Sequence, residues 1–468
     1  MPQEDDPLIS IITVNWNGKK YLSDLFSSLI GQNYPRDRLQ IIMVDNASTD
    51  GSADYVKRKF PEVEIVRLEK NLGYAGGNNE GFKRARGRYI ALINNDCIAD
   101  PDWLCGMLSI FKRSSDDAKI GAVGPKVVFF WPYISLQLLS GSINSRQGGD
   151  KRTPARRLGI KILDARVKSS ASGSKWESSV IKYMDGFHPP EADDRGRLSR
   201  WSQGNAAVAL PIYDLEKPTY VELRLSSLMS PNHLKAVIGE EIIGDIRLGK
   251  RTRKIMLRIQ PEMYIHKRDI INSCGVKINR SLYSRDRGFM DFDEGQYRRV
   301  EEVFALSGSS FMADREMLED TGRFDQVFFT YYEDIDLFWR ARLKGWKHFF
   351  TPNALVRHHH CGSGREWSYD FTYNVLRNRL LMIFKCGWPV LVLRSLAAFT
   401  AAKAIHSVYY LARLLRGDRA RRIDIGIRFR IFFRLFYLLP AFLPRRASIR
   451  SSRKIRDRQI RQWFRDFK

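Results

Sequence analysis

The strongest constraint on this chain's fold is an alternation in its first hundred residues. Four short apolar runs, "LISIITVNW", "LQIIMVD", "VEIVRLE" and "GRYIALINND", are separated by segments of helical character. In "KKYLSDLFSSLIGQ" the apolar residues Tyr21, Leu22, Leu25, Phe26 and Leu29 recur at spacings of three and four, which lines one face of a helix. "ADYVKRKF" reads as a short helix and "GGNNEGFKRAR" as a helix start. Strands that are apolar on both faces need cover on both faces, so the pattern predicts an α/β, Rossmann-like domain around a parallel sheet.

Three of these strands end on polar residues: Asn15 after the first, Asp45 and Asn46 after the second, and Asn94, Asn95 and Asp96 after the fourth. Burying such groups unpaired costs about 1–3 kcal/mol each. Asn and Asp make turns, so each end alone reads equally well as a surface turn. In an open parallel sheet, however, ligands bind beyond the carboxyl ends of the strands, and three polar ends together point to a site. "VDNASTDGS" adds a carboxylate that can accept hydrogen bonds from a base or ribose, with Ser48 or Thr49 placed to cap the next helix. "KNLGYAGGNNEG" reads as a flexible glycine-rich loop leading into a helix, where backbone amides can approach phosphates.

The pattern then changes. Residues 140–180 are polar, basic and rich in glycine and serine, which predicts loop or linker. "NAAVALPI", "TYVELRLSS", "LKAVIG", "EEIIGDIRLG" and "RKIMLRI" are short strand-like runs with turns between them, which predicts a small antiparallel sandwich over about 178–262. From about residue 300 the mixed pattern returns: "EVFALSGSSFMADREMLED" reads as strand, glycine turn and helix, and "YYEDIDLFWRARLKGW" as a helix opening on acids. The expected divisions are 1–140, 141–269, 270–370 and 371–468.

Of the net charge of +26, a large share lies at the end of the chain: Arg377 to Lys468 hold 23 Lys and Arg against 4 Asp and Glu, a net of +19. That segment also contains "WPVLVLRSLAAFTAAKAIHSVYYLARLL" and "IGIRFRIFFRLFYLLPAFL", apolar stretches broken by basic residues. This predicts a mostly helical region lying on an anionic membrane surface rather than crossing it. The five cysteines form no CxxC pair, which argues against a disulfide framework or structural zinc site. The opening "MPQEDDPLIS" lacks the apolar core of a signal peptide, so the expected location is the cytoplasmic face of the cell membrane, with peripheral or shallow attachment.

In this order, "SIITVNWNG", "MVDNASTDGS", "NLGYAGGNNEG" and "LINND" closely resemble the family 2 inverting glycosyltransferases with the A-type nucleotide-sugar fold, in the rhamnosyltransferase-like branch. "SGSSFMADREMLEDTGRFDQVFFTYYEDIDLFWRARLKGW" and "PNALVRHHHCGS" resemble the acceptor half of the same domain. The resemblance covers roughly 8–135 and 270–370. It implies a nucleotide-sugar transferase domain in which Val14, Asn15, Asp45, Asn71, Gly73, Asn78, Asn94 and Asn95 hold a nucleotide-diphosphate sugar. Asn94, Asn95 and Asp96 stand where the family has its Asp-x-Asp motif, with Asn94 in place of the first acid. Asp96 and His358 would then bind Mg²⁺ or Mn²⁺, cations suited to hard ligands. His359 and His360 are alternative registers for that ligand, and the histidines with Cys361 also suit zinc.

The resemblance makes Asp334, paired with Glu333, the general base that takes the acceptor hydroxyl's proton. Asp336 is an alternative base or a supporting partner, and acids at a helix start also favour the macrodipole without any catalytic role. In the inserted sandwich, Trp201 or His188 could stack on sugar, although such a Trp is more often core. The implied activity is transfer of a sugar, from dTDP-rhamnose or a UDP-sugar, to a glycan or lipid-linked glycan acceptor in cell-surface polysaccharide synthesis. Two other classes compete: a catalytically silent glycan-binding subunit, and a nucleic-acid-binding protein suggested by the charge. No nucleic acid is expected, because the charge sits beside bulky apolar runs rather than in a nucleic-acid module.

Overall fold

A computed structural model describes residues 6–113, 119–145, 155–170, 174–192, 197–360, 368–415 and 423–467. They form two compact units, one of 1–130, 271–289 and 297–468 and the other of 131–270 and 290–296.

The first unit opens with β1 (Ile9–Asn15), α1 (Lys19–Ile30), β2 (Leu39–Asp45), α2 (Ser52–Lys59), β3 (Glu64–Arg67), α3 (Gly73–Arg84) and β4 (Tyr89–Ile93). β1 pairs in parallel with β2 and β4, and β2 with β3. Then come β5 (Cys97–Ala99), α4 (Trp103–Lys112) and β6 (Ile120–Phe129). After the second unit the chain returns as strand Ser310–Asp314, α5 (Arg315–Thr321), α6 (Glu333–Leu343) and strand Lys347–His358. Ser310–Asp314 lies between β4 and β6 and runs antiparallel to both. The ten-stranded sheet is therefore mixed rather than parallel. Apolar runs report burial on two faces and not direction, and Ser310–Asp314 is buried throughout.

Register gathers the polar ends. Asn15 lies opposite Asp45, Ser310 opposite Ile93, and His358 opposite Cys97. Residues just after β1, β2 and β4, just before Ser310 and at the end of Lys347–His358 thus meet at one edge of the sheet. The glycine-rich segment is not a loop: from Gly73 onward it is helix. A Cβ on Gly77 would stand 2.7 Å from Val14 Cγ1, and one on Gly81 2.5 Å from Ile12 Cγ2. The glycines let α3 lie directly on β1, a packing reason that composition alone does not separate from loop.

The second unit holds two five-stranded antiparallel sheets. The strands Ile160–Ser169, Thr219–Ser227 and Arg253–Ile259 are adjacent in one, and Ala206–Pro211, Tyr133–Ser140, Asn232–Ile238 and Glu241–Leu248 in the other. Their inward residues, among them Ile134, Leu136, Leu138, Ile162, Val221, Leu223 and Leu234, form one core. This corrects two boundaries. Tyr133–Ser140 was expected in the nucleotide-binding half, and Ile160–Ser169 fell within the expected linker. Basic residues alternate with apolar ones in "IKILDARVKS", so average composition hides a strand whose inner face is apolar.

Beyond the sheet the first unit continues through α7 (Tyr369–Cys386), α8 (Pro389–Leu415) and α9 (Ile423–Ser451). Ile427, Ile431, Leu435, Leu438 and Phe442 of α9 are buried and join the core that includes Leu380, Leu381 and Ile383 of α7. Lys385 of α7 is buried and pairs with Asp336 of α6 and with Asp325, each at 2.8 Å, and Arg445 of α9 reaches Asp325 at 2.9 Å. No helix among the described residues is long and apolar enough to cross a membrane.

Candidate functional site

β4 ends at Ile93, and the chain turns back through Asn94 and Asn95 to Asp96. The Asn94 amide donates to the Ser309 carbonyl at 2.9 Å, and the Cys97 amide to the Asn94 carbonyl at 3.2 Å. The turn presents Asp96, whose Oδ1 lies 3.2 Å from His358 Nε2 with both side chains buried. His358 Nδ1 lies 3.0 Å from Asn272 Oδ1. If Nδ1 donates to that amide oxygen, the lone pair of Nε2 is left facing Asp96. Asp96, Cys97 and His358 each offer a ligand atom, and these atoms lie within 4.8 Å of one another. Burial and the Asp96 charge push the Cys97 thiol well above its usual range. Of the three, the Asp96 carboxylate and the His358 imidazole are the donors that suit Mg²⁺ or Mn²⁺, whereas a thiol suits softer metals. That mixed oxygen and nitrogen pair fits a divalent cation that takes its remaining ligands from a bound molecule.

The neighbouring histidines face elsewhere. His359 stacks on Phe130 with ring centroids 3.6 Å apart, and burial lowers its imidazole to about 4. His360 Nδ1 lies 3.3 Å from Asn272 Nδ2. Cys361, Gly362 and Ser363 lie outside the described residues.

The second centre is the start of α6. Asp334 Oδ2 accepts the Gly308 amide at 2.9 Å and Oδ1 accepts the Ile335 amide at 2.7 Å. Both bonds favour the ionised form, while burial raises the carboxyl from its ordinary value. Glu333 is buried, Oε2 has no hydrogen-bond partner, and burial followed by the charge of Asp334 raises its carboxyl well above the usual range. Of the pair, Asp334 accepts two backbone amides, whereas one oxygen of Glu333 accepts none. Asp336 does not share this position: it is fully buried and paired with Arg340 and Lys385, each at 2.8 Å. It fastens α6 to α7, so a role as alternative base is withdrawn.

Gly308 and Ser309 join the two centres. The amide of the first holds Asp334, and the carbonyl of the second holds Asn94, two residues from Asp96. The Tyr74 hydroxyl donates to the Gly308 carbonyl at 2.5 Å. A Cβ on Gly308 would lie 3.3 Å from Asp334 Oδ2, so a side chain there would crowd the carboxylate.

The remaining expected residues line the same edge, several as braces. Asn15 is buried: Nδ2 donates to Ser52 Oγ at 2.8 Å and to Ser48 Oγ at 3.2 Å, and Oδ1 accepts Asn95 Nδ2 at 2.8 Å. Ser48 thus ties the loop to β1 instead of capping α2, whose first amide, Ser52, bonds to Asp50. Asn71 Oδ1 accepts the Gly73 amide and Asn46 Nδ2, at 2.8 and 2.9 Å. Asn78 Nδ2 bonds back to the Tyr74 carbonyl at 2.9 Å. Val14 packs against Gly77, and Asn94 is half-buried in the turn. Asp45 differs from these: it is buried, and its Oδ1 has no hydrogen-bond partner, which leaves an acceptor for a ligand. Gly73 has φ of 70°, and a Cβ there would meet the Phe329 carbonyl at 2.5 Å.

Sequence reasoning missed Asn272, Gly308, Asp286 and Asn378. Asp286 feels both Asp334 and His358; burial, more than the Asp334 charge, raises it to about 7, and its Oδ1 is buried without a partner. Gly308 lies in the quoted "SGSSFMADREMLED", but its bond to Asp334 appears only in the fold; Asn272, Asp286 and Asn378 sit in no motif, and only tertiary contacts reveal them.

Residues 10–163 match the model of the family described as Glycosyl transferase family 2. The match covers about a third of the chain. The same part of the chain is similar to TuaG of Bacillus subtilis (strain 168), a protein named as a teichuronic acid biosynthesis glycosyltransferase, with 38% identity over 93 residues, 19% of this chain and 36% of that protein. It is also similar to the poly(ribitol-phosphate) beta-glucosyltransferase of Bacillus spizizenii (strain ATCC 23059 / NRRL B-14472 / W23), with 30% identity over 117 residues, 24% of this chain and 18% of that protein. The matched stretch thus spans about a third or less of either relative's length. Among solved structures, GalNAc-T7 with UDP, GalNAc and Mn²⁺ aligns at 13% identity and a TM-score of 0.43, covering 82% of this chain and 48% of that one.

Proposed function

We propose that this protein is a metal-dependent inverting glycosyltransferase that moves a sugar from a nucleotide-diphosphate sugar to a glycan or lipid-linked glycan acceptor in cell-surface polysaccharide synthesis. The observation that carries the reading is the Gly308–Ser309 link, which holds a backbone-anchored carboxylate, Asp334, beside the buried Asp96 and His358 pair. Single-displacement transfer needs these two elements together, and it needs no nucleophilic side chain.

Asp96 and His358 would hold Mg²⁺ or Mn²⁺, which when bound supplies positive charge against the donor's diphosphate. Asp334, held by two backbone amides, takes the proton from the acceptor hydroxyl as that oxygen attacks the anomeric carbon. Glu333, whose carboxyl is raised by burial and by the charge of Asp334, stands directly beside that base. Asp45 accepts from the nucleotide through its unpartnered oxygen, and Asn15, Asn71 and Asn95 keep the crevice wall in register. The names of the relatives support a cell-wall polymer as the product. dTDP-rhamnose and UDP-sugars are the donors to test.

The test is to screen nucleotide sugars for metal-dependent thermal stabilisation, then assay turnover of each hit. A ligand at about 100 times its Kd stabilises the folded state by about 2.7 kcal/mol. Metal-dependent stabilisation and release of nucleoside diphosphate are expected. Glycan binding with no turnover for any donor would favour the silent-subunit reading. Salt-sensitive binding to DNA or RNA without nucleotide-sugar turnover would favour the nucleic-acid reading.

A further inference from the structure

The helix α9 has two apolar sides. One is buried, through Ile427, Ile431, Leu435, Leu438 and Phe442. The other faces solvent: Phe433, Phe436, Tyr437 and Leu443 are 67%, 77%, 72% and 56% exposed. At about 100° per residue, these four fall within an arc of roughly 120° opposite the buried stripe. Pro440 and Pro444 lie in the same arc and are also exposed. Arg430 and Arg434, both exposed, fall between the two apolar sides, and the Arg434 guanidinium lies 5.3 Å from the Tyr437 ring centroid.

From this geometry we infer that the outer face of α9 docks on an anionic lipid surface, with Phe433, Phe436, Tyr437 and Leu443 entering the headgroup boundary and Arg430 and Arg434 meeting lipid phosphates. The charged residues form a flank of the helix, and the exposed arc beside it is apolar.

Charge complementarity favours this occupant. Residues 377–468, which include α9, carry a net of +19, a poor match for another copy of the same basic surface and a good one for an anionic leaflet. Bulky aromatics beside arginines suit the interface between headgroups and acyl chains. No helix among the described residues is long and apolar enough to cross a bilayer, and attachment through one helix face does not require one. An anionic cytoplasmic leaflet is the surface such a face would meet. The inference does not depend on the transfer reaction.

The test is flotation of the full chain with vesicles of phosphatidylcholine alone or mixed with phosphatidylglycerol. The parent chain is expected to float with the mixed vesicles. The triple substitution Phe433→Ser, Phe436→Ser and Tyr437→Ser removes exposed side chains only, so its melting temperature should match the parent while binding falls at least about tenfold. Arg430→Gln with Arg434→Gln should weaken binding by about fivefold per arginine on the mixed vesicles and not on phosphatidylcholine. As a measurement that does not rely on losing an interaction, Tyr437→Trp should gain fluorescence that brominated lipid quenches. Undiminished flotation of the triple variant, or no added quenching in Tyr437→Trp, overturns the proposal. So does a lipid-free dimer that the triple substitution abolishes, because the face would then belong to a second copy.

Discussion

Asn378 and Tyr331 are joined by a 2.7 Å hydrogen bond from the Asn378 side-chain amide to the Tyr331 carbonyl oxygen. The same buried amide group lies 2.8 Å from the Phe328 carbonyl and 2.9 Å from that of Thr330. This clamp sits under an unusual turn. Phe329, Tyr331 and Tyr332 all have positive φ, at 65°, 69° and 69°, and such conformations cost about 1–3 kcal/mol each and persist only where the surroundings enforce them. Glu333 and Asp334 follow directly. Asn378 on α7 therefore sets where the proposed base stands.

Asn378→Ala is expected to lower turnover by about 10- to 100-fold, the range associated with misplacing a reacting group, and to leave the donor's dissociation constant within about twofold. Kinetics beside calorimetric donor titration checks this. Equal losses in turnover and donor affinity would show general unfolding of the site instead of a displaced base.

Asp334 and Asp336 should separate cleanly. Asp334→Asn is expected to lower turnover by about 10²-fold or more while donor binding stays. Asp336→Asn leaves Lys385 and Arg340 buried with weaker partners. It should cost stability, by about 3–5 kcal/mol, and should lower activity only as far as the fold is lost. Denaturant melts of both variants beside initial rates decide it. Normal turnover in Asp334→Asn would remove the base from the mechanism.

Metal binding is read by thermal shift with added Mn²⁺ or Mg²⁺ and donor. Asp96→Ala and His358→Ala are expected to abolish the metal-dependent part of the shift. His359→Ala should keep it, because that ring stacks on Phe130 instead of facing Asp96. Asn272→Ala, which removes the bond at His358 Nδ1, should weaken metal affinity by about 10- to 100-fold. Loss in His359→Ala with full retention in His358→Ala would move the ligand by one residue.

Asp286 gives a pH signature. Its carboxyl is raised from 3.8 to about 7 by burial. Between those values the folded protein holds a proton that the unfolded chain has released. Stability therefore falls as pH rises through this window, and the cost of burying the charge is complete above about 7. Asp286→Asn removes that cost. The melting temperature of the variant relative to the parent should climb between pH 5 and pH 8. A pH-independent difference would show that Asp286 does not ionise in this window.

The sequence makes the first sheet layer legible because β1, β2 and β4 are mostly apolar and α1 has one clear face. The polar ends of β1, β2 and β4 are legible for the same reason: Asn15, Asp45 and Asp96 interrupt runs that otherwise stay apolar. The direction of Ser310–Asp314 is not legible, since burial on two faces carries no sign. The inner residues Ile160, Ile162, Ala165 and Val167 of the sandwich strand are legible only one position at a time, because "IKILDARVKS" places Lys161, Asp164, Arg166 and Lys168 between them. Asn272 and Asn378 act through contacts with residues 86 and 47 to 50 positions away, and no local pattern encodes such a partner.

The insert offers the final check. Val128 of β6 lies opposite Ile271 in an antiparallel pair, so the two ends of the first unit at the excision point already run side by side. Removing 131–270 and joining Phe130 to Ile271 through a two- to four-residue turn closes a hairpin of ordinary length, about 2–5 residues. The segment 290–296, which loses its Ile270–Phe292 bridge and its Arg268–Glu294 ion pair, remains as a loop. This variant is expected to be soluble, to unfold cooperatively and to retain metal-dependent donor binding. Removing only 178–262 should fail, because it leaves Tyr133–Ser140 and Ile160–Ser169 without the strands they pair with, exposing Ile134, Leu136, Leu138 and Ile162. Expression and melting of the two deletions side by side checks the boundary. A soluble 178–262 deletion beside an insoluble 131–270 deletion would show that Tyr133–Ser140 and Ile160–Ser169 are needed by the transferase unit itself.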